Sequence, residues 1–199
     1  MRAAFVPRLA GVDVETDRAT ALARLAPVHN DFLRMHGFDP AVMTTAEQVH
    51  GGEVAVVGAP GCQAGVDALV TSVPGLTLGI YVADCAAVYL ADRRGRAVGL
   101  VHSGRAGTAA NITGRTIARL QEEFGIAPGD LVAHLSPCIR PPLYEEDFAA
   151  EIARQARAAG VTEFIDDGIC TGREVACYYS YRVERGRTGR MLAVLTLLS

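Results

Sequence analysis

Residues 81–107 read YVADCAAVYLADRRGRAVGLVHSGRAG, and this stretch decides the fold. Two apolar runs stand on either side of the charged segment Asp92 to Arg96, which predicts a β-hairpin with its turn in that segment. Cys85 comes just after one apolar run, and His102 comes just after the next. The pattern therefore predicts a thiol and an imidazole at the ends of neighbouring strands, followed by a glycine-rich segment.

The rest of the chain alternates between helical and strand patterns. Apolar residues recur at helical spacing over Arg18 to Met35, Thr108 to Phe124 and Asp147 to Ala159. Short apolar runs bounded by glycine or proline predict strands between these helices. The segment from Ala176 to Leu198 predicts two strands around an Arg-Gly-rich turn. Together these patterns predict an α+β fold in a single domain, residues 1–199.

The composition limits the classes of protein to which the chain can belong. Of the 199 residues 50% are hydrophobic and 21% are charged, which is typical of a globular protein with a substantial core. A net charge of -3 without a basic stripe argues against a nucleic-acid partner. The apolar runs are too short to span a bilayer and the first residues lack a secretion signal, so the sequence predicts a cytoplasmic protein. Five cysteines without regular spacing predict reduced thiols.

His50, Cys85 and His102 share one predicted placement, because each comes at the end of a strand. Side chains at strand ends can converge at the rim of a sheet. Two imidazoles and a thiolate are ligands that zinc prefers, and three protein ligands leave a fourth position open for water or substrate. The spacing alone is weak evidence for such a site. A buried cysteine and two ordinary turn histidines explain the same pattern.

Three polar residues near these positions have two possible roles each. Gln48 precedes His50 by two residues and would share its face of a strand, where it binds a substrate or satisfies a turn. Asp84 either accepts a hydrogen bond from one of the two histidines or caps a turn as a buried carboxylate. For Asp67 the sequence favours fixing a turn over acid-base chemistry.

The motifs EQVHGGEV, DALVTSVPGLTLGIYVADCAAVYLAD, VGLVHSGRAGTA, LSPCI, LYEE and YYSYRVERGRTGRM occur in this order. In this order they resemble the laccase-domain family, also called the YfiH-like, polyphenol oxidase or purine nucleoside phosphorylase family, from about Thr44 to the C-terminus. The resemblance implies a four-layer α/β/β/α arrangement with mixed sheets inside and helices outside. It also implies a zinc ion held by His50, Cys85 and His102, with copper as a weaker alternative in vitro.

The chain also departs from the family pattern. Where the family usually reads His-Ala-Gly-Trp-Arg-Gly-Thr, this chain has Arg105 and Ala106 at the tryptophan and arginine positions. An arginine fork suits phosphate, so Ala106 weakens the expectation of phosphorolysis. Arg105, Arg182 and Arg190 are the arginines expected to contact substrate. The usual Ser-Thr-Arg start is not evident, and the resemblance is therefore to a divergent and shortened member.

The resemblance implies a zinc-dependent enzyme whose partners are small molecules: a purine nucleoside with water or phosphate. Zinc lowers the pKa of a bound water to about 7, which suits attack at C6 of adenosine and release of ammonia. Attack of phosphate at the ribose C1′ gives phosphorolysis instead. The sequence leaves open which reaction occurs, and it leaves the oligomeric state open.

Two other functions use the same residues differently. Cys85 could attack an amide or ester with His102 as its base, as in a cysteine hydrolase. The chain could also bind metal without turnover. A multicopper oxidase is rejected, because five histidines cannot supply both a blue copper site and a histidine-rich cluster.

Overall fold

The computed structural model describes residues 1–198, which form four helices and eleven strands. The helices are α1 (Arg18–Met35), α2 (Arg105–Ala109), α3 (Ile112–Phe124) and α4 (Phe148–Ala158). The strands are β1 (Arg2–Val6), β2 (Met43–Ala46), β3 (Val54–Val56), β4 (Gly61–Gln63), β5 (Ala68–Thr71), β6 (Thr77–Val82), β7 (Ala86–Asp92), β8 (Val98–Ser103), β9 (Leu131–Leu135), β10 (Glu163–Asp166) and β11 (Met191–Thr196).

The strands form two mixed sheets. Sheet I has the order β1-β11-β6-β2-β4, and sheet II has the order β10-β9-β7-β8-β5-β3. In sheet I, β11 runs antiparallel to β1 and β6, whereas β2 runs parallel to β6 and β4. In sheet II, the antiparallel strands β9, β7, β8 and β5 are flanked by the parallel strands β10 and β3. The chain crosses between the sheets from β2 to β3 and from β6 to β7, and these crossings carry site residues.

Alternation of side chains along each strand separates the layers of sheet I. Leu192 and Val194 of β11 pack with Leu33 of α1 on the outer face. Ala193 and Leu195 of the same strand point the other way, into the core between the sheets. Sheet I therefore lies between α1 and the central core.

Sheet II repeats this division. Leu69 of β5 and Leu100 of β8 join the core between the sheets. Val70 and Val101, their neighbours in sequence, pack on the opposite face with Ile117 of α3. Burying each of these side chains stabilises the fold by roughly 1.5–3 kcal/mol. The order helix, sheet, sheet, helix confirms the α+β class and the four-layer arrangement.

Two of the three predicted helices form as expected. α1 spans the predicted range even though Pro27 lies inside it. Its N-cap is Asp17, and the N-cap of α4 is Asp147; each carboxylate accepts a hydrogen bond from a backbone N–H of the first turn. The predicted helix from Thr108 to Phe124 is wrong in extent. Asn111 takes a left-handed conformation with φ of 55°, which divides the segment into α2 and α3.

The strand predictions hold for the hairpin and fail near the C-terminus. β7 and β8 pair antiparallel up to Ala91 and Val98, so the charged turn lies where the sequence predicts it. Of the two strands predicted after residue 175, only β11 forms. Residues 176–190 instead form turns, since the carboxylate of Glu184 accepts hydrogen bonds from the Ser180 N–H at 2.9 Å and the Thr188 hydroxyl at 2.6 Å. Such side-chain bonds replace those of a sheet.

The state of the cysteines agrees with a further prediction. All five cysteines are free, as the sequence predicts. Among the helices that residues 1–198 form, none has the length and apolar character required for crossing a membrane.

Candidate metal centre

The side chains of His50, Cys85 and His102 converge in the structure. One ligand atom from each residue lies within 4.8 Å of those of the other two. The imidazole rings of His50 and His102 meet edge to face, with centroids 4.9 Å apart and an interplanar angle of 79°. Two nitrogens and a sulfur are thus close enough to bind one ion.

The three residues reach this point by different routes. The sequence predicted that His50 ends a strand. In the structure His50 lies in the loop after β2, with a left-handed φ of 63°. Cys85 lies in the short crossing between β6 and β7, and His102 is the penultimate residue of β8, within one residue of the strand end that the sequence predicted. Gln48 also has a positive φ, of 65°, so the predicted common strand face of Gln48 and His50 does not exist.

Asp67 holds two of these residues. Its Oδ1 lies 2.8 Å from the Nδ1 of His102, which leaves Nε2 facing the cluster. Its carboxylate also accepts hydrogen bonds from the backbone N–H of His50 at 2.9 Å and of Gly51 at 2.7 Å. The sequence favoured a turn-fixing role, which the structure confirms, but it missed the contact with His102. That contact depends on the pairing of β5 with β8, which places Asp67 beside His102.

Asp84 does not contact either histidine, so its predicted role as their acceptor is wrong. Its carboxylate accepts hydrogen bonds from the Thr171 hydroxyl at 2.7 Å, the Ser180 hydroxyl at 3.1 Å and the backbone N–H of Arg182 at 2.7 Å. These partners come from the loops that follow β10. Asp84 therefore fixes the C-terminal loops against the crossing that carries Cys85.

The electrostatics of the cluster favour a charged thiolate. Burial alone raises the pKa of the Cys85 thiol, but the adjacent imidazoles of His102 and His50 outweigh burial and lower it. Burial likewise opposes protonation of His102, yet Asp67 and Cys85 together raise its pKa. A thiolate is the form of cysteine that binds metal.

Gly104 gives the Cys85 sulfur its space. A Cβ atom at residue 104 would lie 2.5 Å from the sulfur, a distance that no side chain could occupy without displacing it. The glycine that follows β8 thus permits the close approach of backbone and thiol.

The cluster lies in a cleft of about 560 Å³, within the range typical of small-molecule sites. Tyr144 and Phe148 form part of its wall, with ring centroids 5.6 Å apart in an edge-to-face arrangement. Gln48 also lines the cleft, but its amide donates to the Tyr81 carbonyl at 2.6 Å and accepts from the Tyr81 N–H at 2.9 Å. Of the two roles left open for Gln48, the geometry supports the structural one.

The three predicted substrate arginines line the same cleft. Arg105 pairs with Glu146 at 2.8 Å, and Arg182 makes two bonds to Glu145, at 2.9 and 2.8 Å. Arg190 is only 9% exposed and donates to backbone carbonyls. All three arginines thus line the cleft that holds His50, Cys85 and His102. Arg105 and Arg182 form ion pairs with glutamates, whereas Arg190 donates to backbone carbonyls.

The donor set fits a metal ion. Neutral imidazole nitrogens and a thiolate are the ligands of three-residue zinc sites, which keep a fourth position for substrate or water. The hydrogen bond from the second nitrogen of His102 to a carboxylate is the usual support of a metal-binding histidine. The cluster can therefore hold a metal ion.

Fold and cluster together define a class: a four-layer α+β protein with a candidate three-ligand metal centre in a cleft. The sequence profile described as multi-copper polyphenol oxidoreductase laccase matches residues 12–155 and 144–198. The chain belongs to this family, and the resemblance to laccase-domain, YfiH-like proteins is confirmed.

Named relatives support this membership. The purine nucleoside phosphorylase of Deinococcus radiodurans is 33% identical over 210 residues, which cover 92% of this chain and 77% of the relative. The purine nucleoside phosphorylase SCO2081 of Streptomyces coelicolor is 34% identical over 190 residues, with coverage of 81% and 77%.

Solved structures share the fold. The crystal structure of YlmD from Geobacillus stearothermophilus matches with a TM-score of 0.87 at 25% identity, over 99% of this chain and 92% of that chain. The Bacillus licheniformis hypothetical protein YfiH matches with a TM-score of 0.82 at 22% identity, over 88% of this chain and 81% of that chain. The second likeness shows the fold alone.

Proposed function

We propose that the protein is a zinc-dependent enzyme that acts on purine nucleosides. The observation that carries this proposal is the convergence of His50, Cys85 and His102, within 4.8 Å of one another, in a cleft large enough for a small molecule. The names of the Deinococcus and Streptomyces relatives supply the substrate class.

The cleft offers the two kinds of surface that a nucleoside requires. Tyr144 and Phe148 present aromatic surface on which a purine can pack. Tyr181, which is 56% exposed, also lines the cleft. Small-molecule sites typically combine such aromatic walls with a few polar groups that fix the orientation of the ligand. We assign the base to this aromatic part of the cleft and the ribose to the part nearer His50.

Zinc, when bound, would supply Lewis acidity at this point. The chain itself supplies the positioning. Asp67 fixes the orientation of His102 and the loop of His50, and Asp84 fixes the loop of Arg182. The ion pairs of Arg105 and Arg182 attach residues 145–146 to both sides of the cleft. Such pre-formed geometry is what orients a substrate for reaction.

Two reactions are consistent with this arrangement. In phosphorolysis, a phosphate oxygen forms a bond to the ribose C1′ while the bond between C1′ and the purine N9 breaks. The electron pair of the broken bond leaves with the base, which takes up a proton. In deamination, water replaces the amino group at C6 and ammonia is released. The names of the relatives favour phosphorolysis, and we place it first, although Ala106 replaces the family's arginine.

Product analysis tests the proposal. Metal-replete protein is incubated with adenosine or inosine, with and without phosphate. Phosphorolysis yields free base and ribose 1-phosphate only when phosphate is present, whereas deamination yields inosine and ammonia without it. We expect His50→Ala to abolish turnover and His134→Ala, an exposed histidine outside the cleft, to keep it. Metal-replete protein that binds zinc but turns over no purine nucleoside contradicts the proposal and supports a non-catalytic, metal-binding role.

A specific geometry favours cysteine hydrolysis as the second candidate. Asp67, His102 and Cys85 form a carboxylate, imidazole and thiol in sequence, which is the order of groups in a cysteine nucleophile with its base and orienting residue. In that function the Cys85 thiolate would form a bond to an amide or ester carbonyl carbon, and the bond from that carbon to the leaving nitrogen or oxygen would break. His102 would give its proton to the leaving group, and water would then release the acyl group from Cys85. His50 has no role in this mechanism, whereas a metal site uses it.

The donor count argues against multicopper oxidation. Among residues 1–198, His50, Cys85 and His102 are the single group of close metal donors. His29 is buried in the core, His36 stacks on Phe32, and His134 lies beside Asp167. One three-ligand group cannot hold the several copper ions that such oxidases require. A cytoplasmic location remains a prediction.

A further inference from the structure

Four arginines line the cleft, and they divide into two pairs by what they contact. Arg105 and Arg182 are neutralised by Glu146 and Glu145 at 2.8 Å. Arg18 and Arg190 have no carboxylate within 4.0 Å among residues 1–198. The second pair therefore leaves positive charge in the cleft without a partner.

Arg190 is the more buried member of this pair. Its Nη1 donates to the carbonyls of Thr188 at 3.0 Å and Gly189 at 2.9 Å, which fixes the guanidinium in the cleft wall. None of the hydrogen bonds formed by residues 1–198 uses its Nε or Nη2. The guanidinium also lies 5.9 Å from the centroid of the Tyr181 ring. A buried charge without a counter-ion is costly, so this arrangement suits an anionic ligand.

The acidic side chain of Asp84 also lines the cleft. Its carboxylate accepts hydrogen bonds from the hydroxyls of Thr171 and Ser180 and from the backbone N–H of Arg182, and none from Arg190 among residues 1–198. Burial lowers the pKa of Arg190, and the charge of Arg18 lowers it further. The charges of Cys85, Tyr181 and Asp84 act in the opposite direction, but Arg190 forms no ion pair with Asp84 among residues 1–198.

Arg18 approaches the cleft from α1, whereas Arg190 lies just before β11. Arg18 is the first residue of α1 and is exposed, and its Nη2 donates to the Glu47 carbonyl at 3.2 Å. It is close enough to Arg190 to influence that residue's pKa through charge. Two unpaired cations that face one cleft from different elements form a built site for an oxyanion, because the planar guanidinium matches phosphate oxygens in a bidentate manner.

We propose that Arg18 and Arg190 form a phosphate subsite beside the His50, Cys85 and His102 cluster. The inference rests on the proposed function, since it names where the phosphate of that reaction binds. It replaces the expectation that phosphate binding depends on the arginine missing at Ala106. A phosphate group reaches this subsite from one of two sources, inorganic phosphate or the 5′-phosphate of a nucleotide.

Calorimetric titration of the metal-replete full chain tests the subsite. One arm titrates inorganic phosphate, and the other compares adenosine monophosphate with adenosine. Arg18→Gln is the first variant, because this side chain is exposed and forms no ion pair among residues 1–198. Arg190→Lys is the second, because it keeps the charge but loses the fork. Arg173→Gln, an exposed arginine that binds the Pro141 carbonyl, is the matched control.

We expect Arg18→Gln and Arg190→Lys each to weaken phosphate binding about tenfold to a hundredfold, with adenosine binding unchanged. If the variants weaken only the binding of adenosine monophosphate, the result supports the subsite and identifies its ligand as the 5′-phosphate of a nucleotide. Phosphate binding that is absent from wild type in both arms, or equal in all variants, overturns the subsite. Calorimetry detects binding without turnover, so the two proposals can fail separately. Nucleoside turnover together with phosphate binding that is equal in all variants refutes the subsite only. Phosphate binding that falls in the variants, in a protein that turns over no nucleoside, refutes the proposed function only.

Discussion

The Oδ1 of Asp67 lies 2.8 Å from the Nδ1 of His102, and both side chains are buried. This contact directs the free nitrogen of His102 toward Cys85 and His50. The same carboxylate binds two backbone N–H groups of the loop that carries His50. One residue immediately before β5 thus positions both histidines of the cluster.

The first prediction concerns Asp67. Asp67→Asn removes the negative charge that supports His102, and the NH₂ group of the new asparagine cannot accept hydrogen bonds from the backbone N–H groups. We therefore expect the zinc affinity to fall about 10- to 100-fold. Competition with a chromogenic chelator measures this affinity. Asp92→Asn is the control, because Asp92 is an equally buried carboxylate whose partner, Arg96, lies outside the cleft. Equal zinc affinity in wild type and Asp67→Asn contradicts the role of this contact.

The second prediction concerns the ligands. His50→Ala, Cys85→Ser and His102→Ala should each lower the zinc bound per chain in elemental analysis. The fold should persist, because none of the three side chains is among the buried residues that form the core between the sheets. Cys62→Ser, which alters an exposed cysteine outside the cluster, should keep full zinc. Circular dichroism checks the fold of each variant. Full zinc in Cys85→Ser shows that the cysteine is not a ligand.

The third prediction tests the space beside the thiol. Gly104→Ala places a Cβ atom 2.5 Å from the Cys85 sulfur, so the thiol must move away from the two histidines. We expect weaker zinc binding with secondary structure retained. Gly58→Ala is the matched control, because a Cβ there meets no atom within 4 Å. Loss of zinc in both variants, or in neither, is inconsistent with a sulfur held by close packing.

The fourth prediction is a pH dependence of stability from His29. This side chain is buried against Tyr81, and both of its nitrogens lack hydrogen-bond partners among the described residues. Burial lowers its pKa from 6.5 to about 4, so the unfolded chain binds a proton that the folded chain does not. Stability is therefore fully present above pH 6.5 and falls as the pH approaches 4, by about 3 kcal/mol at most.

Urea unfolding at pH 7.0 and 4.5 measures this effect in metal-free protein. His29→Leu should lose much less stability between these two pH values than wild type does, because it removes the titrating group. His36→Ala, at an exposed histidine, should behave as wild type. Identical pH dependence in wild type and His29→Leu assigns the loss to other groups.

The sequence predicted much of the fold, because hydrophobic periodicity determines local structure. The range of α1 and the hairpin of β7 and β8 follow from it. The break at Asn111 did not follow, because a single left-handed residue leaves the apolar spacing of the segment intact. The sequence predicted a strand before the Arg-Gly-rich turn, but residues 176–190 are held in turns. Glu184 binds Ser180 and Thr188 within the segment, and Asp84 binds Ser180 and Arg182 from a distant part of the sequence.

The sequence predicted the three residues of the candidate metal centre, but not the residues that hold them in place. His50, Cys85 and His102 carry the chemistry that metals require, and their motifs are distinctive. The contact of Asp67 with His102 depends on which strand pairs with β8. Whether each arginine forms an ion pair depends on which carboxylates lie beside it in the folded chain. Arg18, the partner proposed for Arg190, stands in a segment without a distinctive motif. Contacts between remote segments therefore limited the sequence-based account.

The most direct test of the central claim is alkylation of Cys85 with and without a chelator, measured by mass spectrometry beside nucleoside turnover. A metal-held thiolate is shielded, so we predict slow alkylation by iodoacetamide in zinc-replete protein, fast alkylation after chelation, and loss of turnover with the metal. Cys138 is buried with a raised pKa and provides an unreactive internal reference. Fast alkylation of Cys85 in zinc-replete protein, with turnover that survives the chelator, contradicts the zinc mechanism and supports a cysteine nucleophile.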